Sequence, residues 1–110
     1  MSLVKKQYEF TRAIAKLILW CHENGFVITF GDAYRDPRVH GAMGKKLAYG
    51  EANSCHKLRL AVDLNLILPD GRLAQPEDYA PLHDYLDSLG GSKRIENDMN
   101  HFSMQWGNYR

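Results

Sequence analysis

The apolar positions change period along the chain, and each change marks an element. Over residues 5–24, Phe10, Ile14, Leu17, Ile18 and Cys21 recur at helical spacing, with Lys5, Lys6, Arg12, Lys16 and Glu23 on the polar side. This predicts an amphipathic helix packed on a core and ended by Asn24-Gly25. Phe26-Val27-Ile28-Thr29-Phe30 is a β-branched and aromatic run, hence a short strand. Residues 38–53 have no strong period and hold three glycines, which predicts a long loop with one helical turn near Lys45–Tyr49. From 61 to 68 the period becomes two. Val62, Leu64, Leu66 and Leu68 face one way, while Ala61, Asp63, Asn65 and Ile67 face the other. Pro69-Asp70-Gly71 is a turn leading to an edge segment around Leu73. Leu82, Leu86 and Leu89 give a helix over 77–89, with Tyr79 and Tyr85 at its margins, Pro81 in its first turn and Gly90-Gly91 at its end. His83 on it reads as a surface or half-buried residue.

The last element repeats the design of 61–68. In His101-Phe102-Ser103-Met104-Gln105-Trp106 the large apolar residues share one face, and His101, Ser103 and Gln105 share the other. If the two strands are neighbours over one core, His56, Asp63 and His101 converge on the opposite side. The element order predicts a single α+β domain over residues 1–110, a small antiparallel or mixed sheet covered by helices.

Composition bounds the function without choosing it. The 110 residues are 45% hydrophobic and 25% charged, as in an ordinary globular protein. A net charge of +1 and the lack of a basic run argue against nucleic acid as partner. The apolar run Ala13–Cys21 is broken by Lys16 and is too short for membrane insertion. Cys21 and Cys55 are too few for a disulfide framework and read as free thiols. Nothing calls for a second chain, so a monomer is expected.

Two imidazoles and one carboxylate, with a fourth position open to water, suit a catalytic Zn2+ site. Water there is acidified toward a pKa of ~7. A peptidase also needs a base to take the proton and return it to the leaving amine. Asp98, three residues before His101, is the first candidate, and Glu96 is the second. Arg35 follows a strand end, where it could stabilise an oxyanion or hold a substrate carbonyl. It could equally be a surface arginine paired with Asp32 or Asp36. Ser54, two residues before His56, could hydrogen-bond substrate. His40 reads as a solvated loop histidine. Spacing leaves a plainer possibility open, in which His56 caps or is buried, Asp63 is a surface strand residue, and His101 pairs with either.

The string Ser54-x-His56-x6-Asp63, ending Ala61-Val62-Asp63-Leu64, resembles the signature of the zinc D-Ala-D-Ala carboxypeptidase family. That family includes phage endolysins that cut L-alanyl-D-glutamate or related bonds, and it shares its fold with hedgehog signalling domains. Tyr34-Arg35 resembles the family's Ser-Gly-Tyr-Arg segment, and Asp98-Met99-Asn100-His101 resembles its acidic-x-x-His segment. The resemblance implies zinc on His56, Asp63 and His101, the acid/base role for Asp98 and a catalytic role for Arg35. There are departures. Arg59 stands where many members have a glycine, Asp32-Ala33 replaces Ser-Gly, and Leu89 precedes Gly90-Gly91 where related phage proteins often have tryptophan.

The expectation is a zinc peptidase acting on peptidoglycan stem peptides, of the phage or prophage endolysin kind. It would be made in the cytoplasm without a signal peptide, carry no wall-binding domain, and reach the wall by holin-type release. The alternatives are a D,D- or L,D-carboxypeptidase of wall recycling and a non-catalytic zinc-stabilised binding module.

Overall fold

A computed structural model describes residues 1–47 and 51–110. Helix α1 spans Leu3–Glu23 and starts on Ser2, whose side chain caps the Lys5 N–H. Its buried stripe is Phe10, Ala13, Ile14, Leu17 and Cys21. Strand β1 (Val27–Phe30), strand β2 (Ala61–Ile67) and strand β3 (His101–Ser103) form one antiparallel sheet in the order β1-β2-β3. The domain is therefore a small α+β fold with a three-stranded antiparallel sheet.

The alternation of β2 puts it in the centre. Leu64 and Leu66 are buried and pack in one core with Leu17, Leu82, Leu86 and Phe102. Each fully buried leucine contributes about 1.5–3 kcal/mol of transfer free energy, which fixes the strand's facing. The register pairs Val62 with Phe102 on the core side and Asp63 with His101 on the other. Leu73 forms the expected edge contact, a bridge to Ile67.

Five expectations need correction. The strand expected over 101–106 ends at Ser103. Met104 still donates its N–H to the Leu60 carbonyl at 3.0 Å, but the chain then turns back through Trp106 and Tyr109. The helix expected over 77–89 is a 3₁₀ turn, Pro76–Tyr79, followed by helix α3, Ala80–Ser88. Pro81 has no N–H to give the Glu77 carbonyl, so the Ala80 N–H serves it one residue earlier. His83 is fully buried, with its ring stacked 4.3 Å from that of Phe102 and its Nε2–H donating to the Met99 carbonyl at 2.6 Å. His40 is also buried. It lies on helix α2, Pro37–His40, which Asp36 caps and Pro37 opens. The helical turn in this region is thus at 37–40. Lys45–Leu47 are not helical, and 48–50 lie outside the described residues. Cys21 and Cys55 are buried free thiols. Among the described residues no helix is long and apolar enough to cross a membrane.

Candidate metal centre

Asp63 and His101 reach the site by sheet geometry. Val62 and Phe102 turn into the core, so their neighbours turn to the opposite face as a cross-strand pair. His56 arrives by another route. Cys55–Leu58 form a 3₁₀ turn. Ser54 caps this turn, its Oγ accepting the His56 N–H at 3.2 Å. Cys55 anchors it in the core. Arg59 ends it in the left-handed region at φ 56°. The glycine common in the resembling family would be unstrained at such a position, whereas a side chain costs about 1–2 kcal/mol. Part of that cost is offset by the Arg59 guanidinium, which lies 4.0 Å over the Tyr34 ring.

The three donors meet at close range. His56 Nε2 is 3.1 Å from Asp63 Oδ1 and 3.1 Å from His101 Nδ1, and His101 Nδ1 is 3.6 Å from Asp63 Oδ1. Donors around a tetrahedral zinc, each ~2.0–2.1 Å from the ion, stand about 3.3 Å apart, so the triangle has the right size. The tautomer of His56 is also fixed. Its Nδ1–H donates to the Ala33 carbonyl at 2.7 Å, which leaves the Nε2 lone pair facing the other two donors. Three lone-pair donors facing one another need a shared proton or a cation between them. Burial opposes the charge on Asp63, but the His101 and His56 imidazoles set against it outweigh burial and hold the carboxyl well below the usual carboxylate range. The group is thus anionic at neutral pH, and it could bind a metal ion. His101 is less well braced, since its Nε2 is buried without a partner among the described residues.

Arg35 lies beside this group. Its guanidinium donates to Ser54 Oγ at 3.2 Å and Asp32 Oδ2 at 3.4 Å, and stands 3.9 Å from Asp63 Oδ2. Of the two pairings foreseen, that with Asp32 is formed, while Asp36 pairs with Arg38 at 2.6 Å. Ser54 is buried and braces both Arg35 and the 3₁₀ turn. Asp98 is half-exposed, with Oδ2 3.9 Å from His101 Nδ1. Arg35, Ser54, Asp98 and His101 line one polar cleft of about 700 Å³, shared with Glu51–Asn53 and with Asn108–Arg110. Glu96 is exposed on the same turn as Asp98 and does not line it. A separate, more apolar cleft of about 580 Å³ lies between Phe26, Leu66 and Pro81, away from these groups.

Several residues of the site were not foreseen. Gly31 lets its segment pass close over β2, since a Cβ there would lie 3.0 Å from that of Asp63. A glycine directly after a strand was the available signal. Asn100 donates to Asn65 at 3.0 Å and ties the turn before β3 to β2. Lys57 is buried beside His56. Compared with protein-family models and with curated proteins, the sequence matches none.

Proposed function

We propose that the chain is a zinc peptidase with a hedgehog/DD-peptidase-like fold that hydrolyses a peptide bond in peptidoglycan stem peptides, as a phage or prophage endolysin. The observation that carries the reading is the compact triangle of His56, Asp63 and His101, with Asp98 and Arg35 beside it in one cleft. The resemblance of the segments around Arg35, His56 and Asp98 to the zinc D-Ala-D-Ala carboxypeptidase family supports it. It also directs the choice of bond toward L-alanyl-D-glutamate or a related linkage.

Held by His56, Asp63 and His101, zinc would supply a Lewis acid to polarise the scissile carbonyl and acidify water. The protein's own groups do the rest. Asp98, half-exposed at the cleft edge, takes a proton from the attacking water and returns it to the leaving nitrogen. Arg35, held by Asp32 and Ser54, presents a fixed positive charge for the developing oxyanion. Ser54 keeps the Arg35 guanidinium and the His56 backbone in register. The substrate lies in the wall, so the protein acts there as a monomer after release from the cytoplasm.

The test pairs zinc content with lysis of chloroform-treated Gram-negative cells, for the parent and for His56→Ala. The expected result is about one zinc per chain and clearing of turbidity, both lost in the variant. Zinc without lysis would favour a binding module or a carboxypeptidase with a small substrate. A parent that holds no zinc would overturn the site itself.

A further inference from the structure

The loop that walls the cleft is built around a lysine. Lys57 follows His56 on the 3₁₀ turn and is only 7% exposed. Its ammonium donates to the carbonyls of Ala42 at 3.3 Å and Ala52 at 3.0 Å, and to the carbonyl of Lys45. An ammonium has three N–H donors, and all three are used here. The ion pairs found among the described residues do not include it. A charge withdrawn from water is tolerated when other dipoles replace its hydration. Backbone carbonyls do so here, as they do around a desolvated monovalent cation.

The loop is shaped to present those carbonyls. Gly41 has φ 84°, and a Cβ on it would meet the Lys45 carbonyl oxygen at 3.0 Å. Ala42 and Ala52 carbonyls each accept a loop N–H as well, from Lys45 at 2.8 Å and from Gly44 at 2.9 Å. The ammonium takes the remaining acceptor capacity. Glu51, Ala52 and Asn53 in turn line the cleft beside Arg35 and Asp98.

We propose that Lys57 is a tethered monovalent cation whose ammonium fills a three-carbonyl site and so fixes the cleft wall at Glu51–Asn53; a chain without this side chain binds a free primary alkylammonium ion in its place. None of the three carbonyls belongs to a residue of the metal centre, so the metallopeptidase reading can fail while this one stands. Lys57 is a positioning residue in this account.

The experiment is NMR-detected amide hydrogen exchange at Gly44 and Lys45 in chelator-treated protein. Lys57→Ala deletes a propylammonium-sized group. It is measured alone, with propylammonium, and with tetramethylammonium, which carries the charge but no N–H. Both amides are expected to exchange at least about tenfold faster in Lys57→Ala than in the parent. Propylammonium should restore the protection, and tetramethylammonium should not. Lys57→Met keeps the aliphatic stem, and it should exchange as fast as the alanine variant. Full protection in Lys57→Met would assign the effect to stem packing and overturn the proposal. So would an alanine variant that propylammonium does not rescue, whether it is folded with a loose loop or fails to fold.

Discussion

Zinc should stabilise this chain by mass action, because only the folded chain holds the triangle of donors together. The three atoms already stand 3.1, 3.1 and 3.6 Å apart in the folded chain, while the unfolded chain scatters them along 46 residues, from His56 to His101. A ligand that binds only the folded state adds about 4.1 kcal/mol when its free concentration is a thousand times its Kd. A domain near this size shifts its midpoint by about 4 °C per kcal/mol, so the expected gain is about 16 °C. The assay is scanning calorimetry of protein stripped with chelator, rescanned with zinc and, as a control, with magnesium. Magnesium prefers octahedral oxygen ligands and should do little. Asp63→Ala supplies the second arm. In stripped protein it loses a half-buried carboxylate and falls by about 1–3 kcal/mol, but His56 Nε2 and His101 Nδ1 can still share a proton. With zinc, two imidazoles alone should recover under about 4 °C. A parent whose midpoint is the same with zinc as with chelator would refute the reasoning, because no preformed trio of donors can be indifferent to its metal.

Other consequences are open to simpler measurements. Asp98→Asn should keep zinc and thermal midpoint while losing about 10²–10⁴-fold in wall-lytic rate, since the carboxylate touches the site from a half-exposed turn whose backbone bonds it does not make; lysis at the parental rate would remove Asp98 from the mechanism. Arg59→Ala keeps the left-handed backbone but loses the stack on Tyr34, whereas Arg59→Gly loses the stack and relieves the backbone. The alanine variant should therefore be the less stable by about 1 kcal/mol in urea unfolding, and the reverse order would contradict the argument. Burial of His83 pushes its pKa down, and the positive charge of Arg94 acts the same way, against the Met99 carbonyl bond and the negative charge of Asp87. The unfolded chain then binds the proton first, near pH ~6.5, so stability present above that pH is lost as pH falls toward the depressed folded value. The stability difference between the parent and His83→Leu should shift against the parent between pH 7.5 and 5.5, roughly the window set by that ordinary histidine value; a difference flat with pH would show that His83 takes up its proton alike in both states.

The sheet was legible because its two informative strands sit between a core and a site. Alternation in 61–68 separates leucines from Asp63 and Asn65, and the same alternation in 101–103 separates Phe102 from His101. A one-residue slip would put charge in the core, so the pattern admits one register. Helix α3 was less legible. Its buried stripe is Leu82, His83 and Leu86, continued from Tyr79 of the 3₁₀ turn, a helical set that includes the histidine. The residue type argued for the surface while its position argued for the core, and position prevailed. Pro81 did carry the signal for the 3₁₀ entrance, since a proline withholds the N–H that the fourth residue before it needs. Lys57 gave no signal at all. A lysine in a polar stretch reads as solvated, and only the folded loop reveals three carbonyls converging on it.

What sets the site apart from its surroundings is that backbone, more than side-chain packing, joins its parts. The segment Gly31–Arg35 lies between β2 and the 3₁₀ turn and is laced to both. Gly31 N–H donates to the Asp63 carbonyl at 2.8 Å, and Asp63 N–H donates to the Asp32 carbonyl at 2.7 Å. Ala33 accepts from the His56 ring at 2.7 Å, and Arg35 N–H donates to the His56 carbonyl at 3.1 Å. These bonds run between backbone groups or end on a backbone carbonyl, so they are indifferent to most side chains at positions 32 and 33. They are not indifferent to chain length or to bulk at Gly31, where a Cβ would press on Asp63. The spacing of residues 31–35 is thus as much a part of the candidate metal centre as the three side chains that could hold the ion, although none of those five residues is among them.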